Sequence, residues 1–365
     1  MAGKDEVGLW AAMDKRIRKP RIGDVARRAG VSTATVSRTL ATPDQVKPDT
    51  RDAVMRAVRE TGYVLNLAAR NLRTSRTHAV LAVLPDASNI FFSQVLRGIS
   101  DTLHQHGYSL VIADTAGDPD REREHAGFIQ GGRVDGVLLL NGRLLPSPAT
   151  KRGQQVPTVS LCERIPGSGL PHVETANRDA ARAMTEYLLK LGHRRIGYLS
   201  GPAANVLEHD RFAGYGDALA ANAIAHDPQL VQPGDFSIGA GEAAASAYLA
   251  LPRLPDAVFA CSDAMAMGLI RGFVAAGVSV PEKISIAGFD DIEFASAYNP
   301  ALTTVRQSRR EIGARAAAML IDLMRGEQLA SQQISLPAEI ITRDSTRELA
   351  TEASTASFAR PGGSQ

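Results

Sequence analysis

The chain has 365 residues, of which 44% are hydrophobic and 22% charged, a composition suited to globular domains with a core of useful size. It contains no apolar run of about 18 residues, so no membrane span is expected, and its first residues lack the apolar segment of a secretory signal, so a cytoplasmic location is expected. Cys162 and Cys261 are the only cysteines, which excludes a disulfide framework and a cysteine-rich zinc site.

The net charge of +2 is unevenly spread: residues 1–76 hold 16 Lys and Arg against 8 Asp and Glu, whereas the remainder holds 25 against 31. A basic head on an acidic body points to a nucleic-acid contact at the head. Residues 1–19 show little periodicity and read as a flexible arm. Ile22, Val25, Ala26 and Ala29 fall on one face of a first helix, and Gly30 ends it. Ser32 is positioned to cap a second helix, Thr33–Leu40, which Thr42, Pro43 and Asp44 break. Pro48 and Asp49 announce a third helix over Thr50–Glu60, with Val54, Ala57 and Val58 inward and Gly62 as its stop. Two short helices joined by a Gly turn form a helix-turn-helix, here within a domain spanning 20–65. The second helix then offers Thr33, Ala34, Thr35, Ser37 and Arg38 to the DNA major groove.

Asn66 can cap a short helix over 67–73, and a polar linker follows to 77. From Ala79 the texture changes to short apolar runs alternating with helical patterns. Strands are expected at Ala79–Leu84, Ser109–Ala113, Gly136–Leu140, Thr158–Cys162, Ile196–Ser200, Ala257–Ala260 and Ser285–Phe289. Such alternation implies parallel sheets built from βαβ units, and the length suggests two α/β lobes across 78–345. The Ala-, Ser-, Thr- and Gly-rich segment 346–365 reads as a disordered tail.

The pattern D-V-A-x-x-A-G-V-S-x-x-T-V-S-R from Asp24 to Arg38, continued by T-R-x-x-V-x-x-A-x-x-x-G-Y from Thr50 to Tyr63, resembles the head of the lactose-repressor (LacI/GalR) family. That resemblance implies a homodimeric, ligand-controlled repressor of an operator, with Thr33 and Ala34 as main specificity positions. It also implies a hinge helix that meets the minor groove through Asn66, Ala69, Leu72 and Arg73, with Leu72 as the wedge. The sensor would look like a periplasmic binding protein, an α/β fold of two lobes with the effector between them. Its three crossings between lobes are expected near Glu174–Arg178, Pro300–Arg306 and Gly326–Ser331, giving a first lobe of 78–175 plus 305–328.

Ligands in such sheets bind at the carboxyl ends of strands. On the family pattern the effector contacts are Arg211 and Asp290, joined by Phe91 and Phe92, of which one would face the cleft, and by Glu163, Ser262 and Asp263. Asp263 has a helix-capping alternative, and Cys162 reads as a small buried hydrophobe. Ala176 stands where many relatives carry Asp, whereas Asn177 keeps the family residue. Pro43-Asp-Gln-Val, Phe91-Phe-Ser-Gln, Gly234-Asp-Phe-Ser and Ser262-Asp-Ala-Met-Ala look like the cytidine-repressor branch, so the effector is expected to be a nucleoside or a sugar. No P-loop, nucleophile elbow or metal-spaced histidine set occurs, so neither an enzyme nor a metal or cofactor is expected. A solute-binding protein of a transport system would share the sensor but not the basic head.

Overall fold

The computed structural model describes residues 20–63, 76–146, 153 and 155–349. It divides into two compact units, Met1–Arg76 and Thr77–Gln365. In the first, helices α1 (Ile22–Ala29), α2 (Thr33–Ala41) and α3 (Pro48–Thr61) surround a small core of Val25, Ala26, Val36, Val54 and Ala57. Gly30 and Gly62 close α1 and α3 in the left-handed conformation, at φ 68° and 64°, where a Cβ would be strained. Ser32 caps α2 by accepting from the Thr35 amide at 3.1 Å. The proposed hinge contacts Asn66, Ala69, Leu72 and Arg73, the arm 1–19 and the segment 350–365 lie outside the described residues.

The second unit has two lobes. The first holds a six-stranded sheet in the order β11-β5-β4-β3-β1-β2. Its strands are β1 (Ala79–Leu84), β2 (Ser109–Asp114), β3 (Gly136–Leu139), β4 (Thr158–Leu161), β5 (His172–Thr175) and β11 (Gln333–Leu336), all paired in parallel. Helices α4 (Phe91–Gln105) and α10 (Arg309–Arg325) pack against each other beside it, and α5 (Pro119–Gln130) supplies Ala126 and Ile129 to a further core cluster of this sheet. The second lobe holds the parallel sheet β7-β6-β8-β9, built from β6 (Ile196–Leu199), β7 (Val231–Gln232), β8 (Ala257–Ala260) and β9 (Ser285–Ala287). Its helices are α6 (Asn177–Lys190), α7 (Val206–Ala221), α8 (Ile238–Leu249) and α9 (Asp263–Ala275). An antiparallel ribbon, β10 (Thr304–Gln307) with β12 (Ala338–Ile341), joins this lobe through bridges from Thr303 to Ala287 and from Arg306 to Asp290.

Three sequence expectations are corrected. The second crossing comes at Ser308, after β10 rather than within Pro300–Arg306, because β10 still pairs in the second lobe before α10 enters the first. The third comes at Pro337 rather than Gly326–Ser331. Gly326 ends α10 at φ 77°, but the chain then adds β11 to the first sheet, so the first lobe's later stretch runs 309–336 rather than 305–328. The segment from Thr346 to Leu349, expected in the tail, belongs to the second lobe. The Leu349 amide donates to Leu191 O at 2.8 Å, and the Arg347 amide donates to Ser285 Oγ at 3.1 Å. The antiparallel ribbon was not expected, since its strands are only four residues each.

Three helix pairs touch backbone to backbone. A Cβ on Gly98 of α4 would sit 2.0 Å from Arg310 O in α10, and one on Gly214 of α7 would sit 2.1 Å from Arg178 O in α6. On Gly241 of α8 it would meet Met265 O in α9 at 2.1 Å. Packing this close leaves no room for any side chain. Gly98→Ala is therefore expected to destabilise the protein by about 1–3 kcal/mol or more through overpacking. Gly127→Ala, in α5 with nothing within 4 Å of its Cβ, is expected to be neutral or to stabilise by up to about 1 kcal/mol. Urea unfolding of both variants checks the pair.

Candidate DNA-reading helix and effector cleft

In the head, Val36 and Thr39 point α2 into the core, which turns Thr33, Ala34 and Arg38 outward; all three are exposed, and Thr35 and Ser37 are half-buried. The Ser32 and Thr35 hydroxyls are 2.9 Å apart, so Thr35 shares the cap that fixes the helix start. Arg28 of α1 reaches Glu60 of α3 at 2.5 Å and ties the outer helices together. The arrangement presents a short polar face with one guanidinium, side chains of the types that can contact base edges.

In the sensor, the strand ends of both lobes face a cavity of about 270 Å³. Phe91, Phe92, Glu163, Arg211, Ser262 and Asp290 all line it. Both phenylalanines border the cavity, where one was expected to; their rings meet edge to face at 5.2 Å and 81°. They open α4, and Arg309 holds the start of that helix by donating to Phe91 O at 3.4 Å and to Asp291 O at 2.8 Å.

Arg211 is 2% exposed. Its Nε donates to Asn177 Oδ1 at 2.9 Å, one terminal NH2 group donates to Cys261 O, and the other lies 3.8 Å from Asp290 Oδ1. The guanidinium carbon sits 3.7 Å from the centre of the Phe289 ring, a stacking that Lys could not reproduce. Asp290 stands at φ 124° and Asp291 at φ 50°. The Asp290 conformation costs about 1–3 kcal/mol and is held by its neighbours. The Asp290 amide donates to Val305 O at 2.8 Å, Gln307 Nε2 donates to Asp290 Oδ1 at 2.6 Å, and Asp291 accepts from Arg306 Nε at 2.7 Å and from Arg343 at 2.6 Å. This kink aims the Asp290 carboxylate into the cleft.

Cys162, at φ 63° after β4, turns the chain in the same way and sends Glu163 to the cavity wall. Burial raises the Glu163 pKa, against a hydrogen bond from the Asn205 side chain across the cleft. Burial likewise raises the Cys162 thiol pKa, so it is an inert packed group.

Asp263 is corrected. It is fully buried and does not line the cavity. Ser262 occupies the cap of α9, accepting from the Met265 amide at 3.3 Å, and Asp263, one residue later, turns under the helix. There it accepts from Thr304 Oγ1 and, at 2.9 Å, from the Ile292 amide. A Cβ on Gly288 would come within 2.3 Å of Asp263 Oδ1, so that glycine makes room for the carboxylate. Asp263 therefore braces the hinge strand β10.

Sequence reasoning assigned no role to Asn177, Asn205 or Phe236. Asn177 orients Arg211, whereas Asn205 and Phe236 line the cavity. For Phe236 the signal lay in the stretch Gly234-Asp-Phe-Ser, and for Asn177 in its retention of the family residue. Among the described residues lining the cavity, Arg211 is the one cation, facing Asp86, Glu163, Asp235 and Asp290. No described helix is long and apolar enough to cross a membrane.

The profile of bacterial regulatory proteins of the lacI family matches residues 21–66, and that of the periplasmic binding protein-like domain matches 185–346. The HTH-type transcriptional repressor CytR of Escherichia coli K12 is 40% identical over 89% of this chain and 96% of its own length. The HTH-type transcriptional regulator CelR of Thermobifida fusca is 35% identical over 91% and 99%. The lac repressor dimer bound to operator and the anti-inducer ONPF superposes with TM-score 0.80, at 27% identity over 90% of this chain and all of that one. A CelR–cellobiose complex matches with TM-score 0.69, at 33% identity over 90% and 100%.

The cleft carries a pH consequence. Burial, opposed by the Arg211 charge, raises the Asp290 pKa from 3.8 to about 6. The folded state then holds this proton more tightly than the unfolded chain, so ionising Asp290 costs stability. Stability of the ligand-free protein is expected to fall as pH rises from about 4 to about 6. Asp290→Asn, which still accepts from Gln307, is expected to be more stable than wild type at about pH 7.5 and to lose that advantage towards about pH 4. Denaturant titrations at the two pH values check this.

Proposed function

The chain belongs to the lacI family of bacterial regulatory proteins, and on that footing we propose that it is a cytoplasmic homodimeric repressor whose effector is a nucleoside. It binds operator DNA through its helix-turn-helix and a small effector through its two-lobed domain. The proposed base contacts are Thr33 and Ala34, with Thr35, Ser37 and Arg38 beside them. The proposed hinge contacts are Asn66, Ala69, Leu72 and Arg73. Two-fold symmetry of the dimer would impose a pseudo-palindromic operator. Neither a catalytic step nor a transport role is proposed.

The cleft's chemistry supports the effector class. It joins the apolar rings of Phe91, Phe92 and Phe236 to a wall of acceptors, and its one guanidinium is already engaged by Asn177, Cys261 O and Phe289. Four carboxyl side chains against one cation, whose Nε and one terminal nitrogen are already engaged, favour a neutral, donor-rich ligand over an anionic one. A nucleoside fits that description, with a flat base for the rings and ribose hydroxyls for Asp290; a nucleotide, with its phosphate, does not. In this reading Asp290 and Arg211 grip the ribose while Glu163 and Ser262 meet the remaining donors.

Calorimetry of the full-length protein against nucleosides, nucleoside monophosphates, pentoses and hexoses tests the effector. Binding of at least one nucleoside is expected, with its monophosphate much weaker, and binding of sugars alone overturns the assignment. Asp290→Ala is expected to weaken the nucleoside about tenfold or more, because it removes a charged hydrogen-bond partner.

DNA binding is expected to be electrostatically driven, its affinity falling steeply with salt as phosphates are neutralised and counterions released. A chain starting at His78 is expected to lose it. Gel-shift titrations over a salt series check both.

A further inference from the structure

The two lobes are tied outside the effector cavity by a built ion pair. Arg164 follows β4 in the first lobe, and Asp210 lies on α7 in the second. Both terminal nitrogens of Arg164 bond the Asp210 carboxylate, NH1 to Oδ2 and NH2 to Oδ1, the latter at 2.9 Å. NH1 also lies 3.5 Å from Glu174 Oε2 on β5, in the first lobe. This is a fork-to-fork pair with a second carboxylate steadying the arginine on its own side. The side chains are 36%, 22% and 16% exposed in the order Arg164, Asp210 and Glu174, so water screens the pair only in part.

Its position matters more than its strength. Arg164 is the next residue after Glu163, and Asp210 is the one before Arg211, and both of those neighbours line the cavity. The ion pair therefore spans the mouth one backbone step from the cavity on each side. A second, weaker tie, Gln94 Nε2 donating to Glu293 Oε1 at 2.9 Å, joins α4 of the first lobe to the segment after β9.

We propose that the Arg164–Asp210 pair is a clasp that sets how much of the free protein has its lobes closed, and through that fraction the apparent affinity for effector. The proposal rests on the reading that the effector binds between the lobes. A ligand that requires the closed form binds less tightly in proportion to the closed fraction. Neither residue lines the cavity, so its loss leaves the cavity's own groups in place.

Two measurements on the full-length protein test it. Hydrogen exchange of the ligand-free protein is expected to rise in peptides covering 161–166 and 205–212 in Arg164→Ala and in Asp210→Ala. Exchange in 257–260 should stay at the wild-type level. Unchanged exchange in the first two peptides overturns the clasp, whether or not any ligand binds. Calorimetry with cytidine supplies the second test. Each single variant is expected to bind about three- to tenfold more weakly than wild type, as loss of a bidentate charge pair implies. The Arg164→Ala, Asp210→Ala double variant should be no weaker than either single. Additive losses overturn the proposal. Wild-type protein that ignores cytidine and every other nucleoside counts against the nucleoside reading, and the exchange measurement then decides the clasp alone.

Discussion

A buried guanidinium must be surrounded, and the second lobe is arranged around that requirement. Arg211 stands on α7, but its four partners come from three other places. Asn177 opens α6, Cys261 ends β8, and Phe289 and Asp290 follow β9. Each partner lies at a strand end or a helix start, so satisfying the arginine fixes the loops that form the cleft floor. Losing the acceptor at Asn177 or at Cys261 O would leave a charged donor dry, which costs far more than the bond itself contributes.

The same economy governs the hinge. Asp290 and Asp291 adopt conformations that residues other than glycine rarely hold, and the groups restraining them come from every crossing. Gln307 bonds Asp290 and also accepts from Thr175 Oγ1 at 2.6 Å, at the end of β5. Arg306 and Arg343 both bond Asp291. Strain and an unfavourably buried carboxylate therefore sit together, at the place where the lobes turn and the effector is proposed to bind. A ligand hydroxyl donating to Asp290 would relieve part of that cost, which gives the effector a reason to favour one lobe angle over another.

Much of this was legible in the sequence because local rules and packing agree there. Gly30, Ser32 and Gly62 announce the head's helix boundaries, and the apolar runs at Ala79–Leu84 and Ala257–Ala260 can only be buried strands. Arg211 and Asp290 were found through family motifs rather than through any periodicity. What stayed hidden depends on distant partners. β5, β11 and the β10–β12 ribbon are short and mixed in polarity, and they become strands only because a neighbouring edge is waiting. Asp263 looked like a pocket residue because it ends a strand next to one; its burial depends on Gly288 and Thr304, far along the chain. The Arg164–Asp210 pair joins residues 46 apart, with no local signature at either end.

The central claim is that effector and operator are linked through one two-lobed domain. Linkage is reciprocal: the factor by which an effector changes operator affinity must equal the factor by which operator changes effector affinity. Fluorescence titration of labelled operator with and without saturating cytidine, set against calorimetric titration of cytidine with and without operator, measures both factors at one salt concentration. Two equal factors are expected, each clearly different from one. Operator affinity indifferent to cytidine, in a protein that binds cytidine, would contradict it.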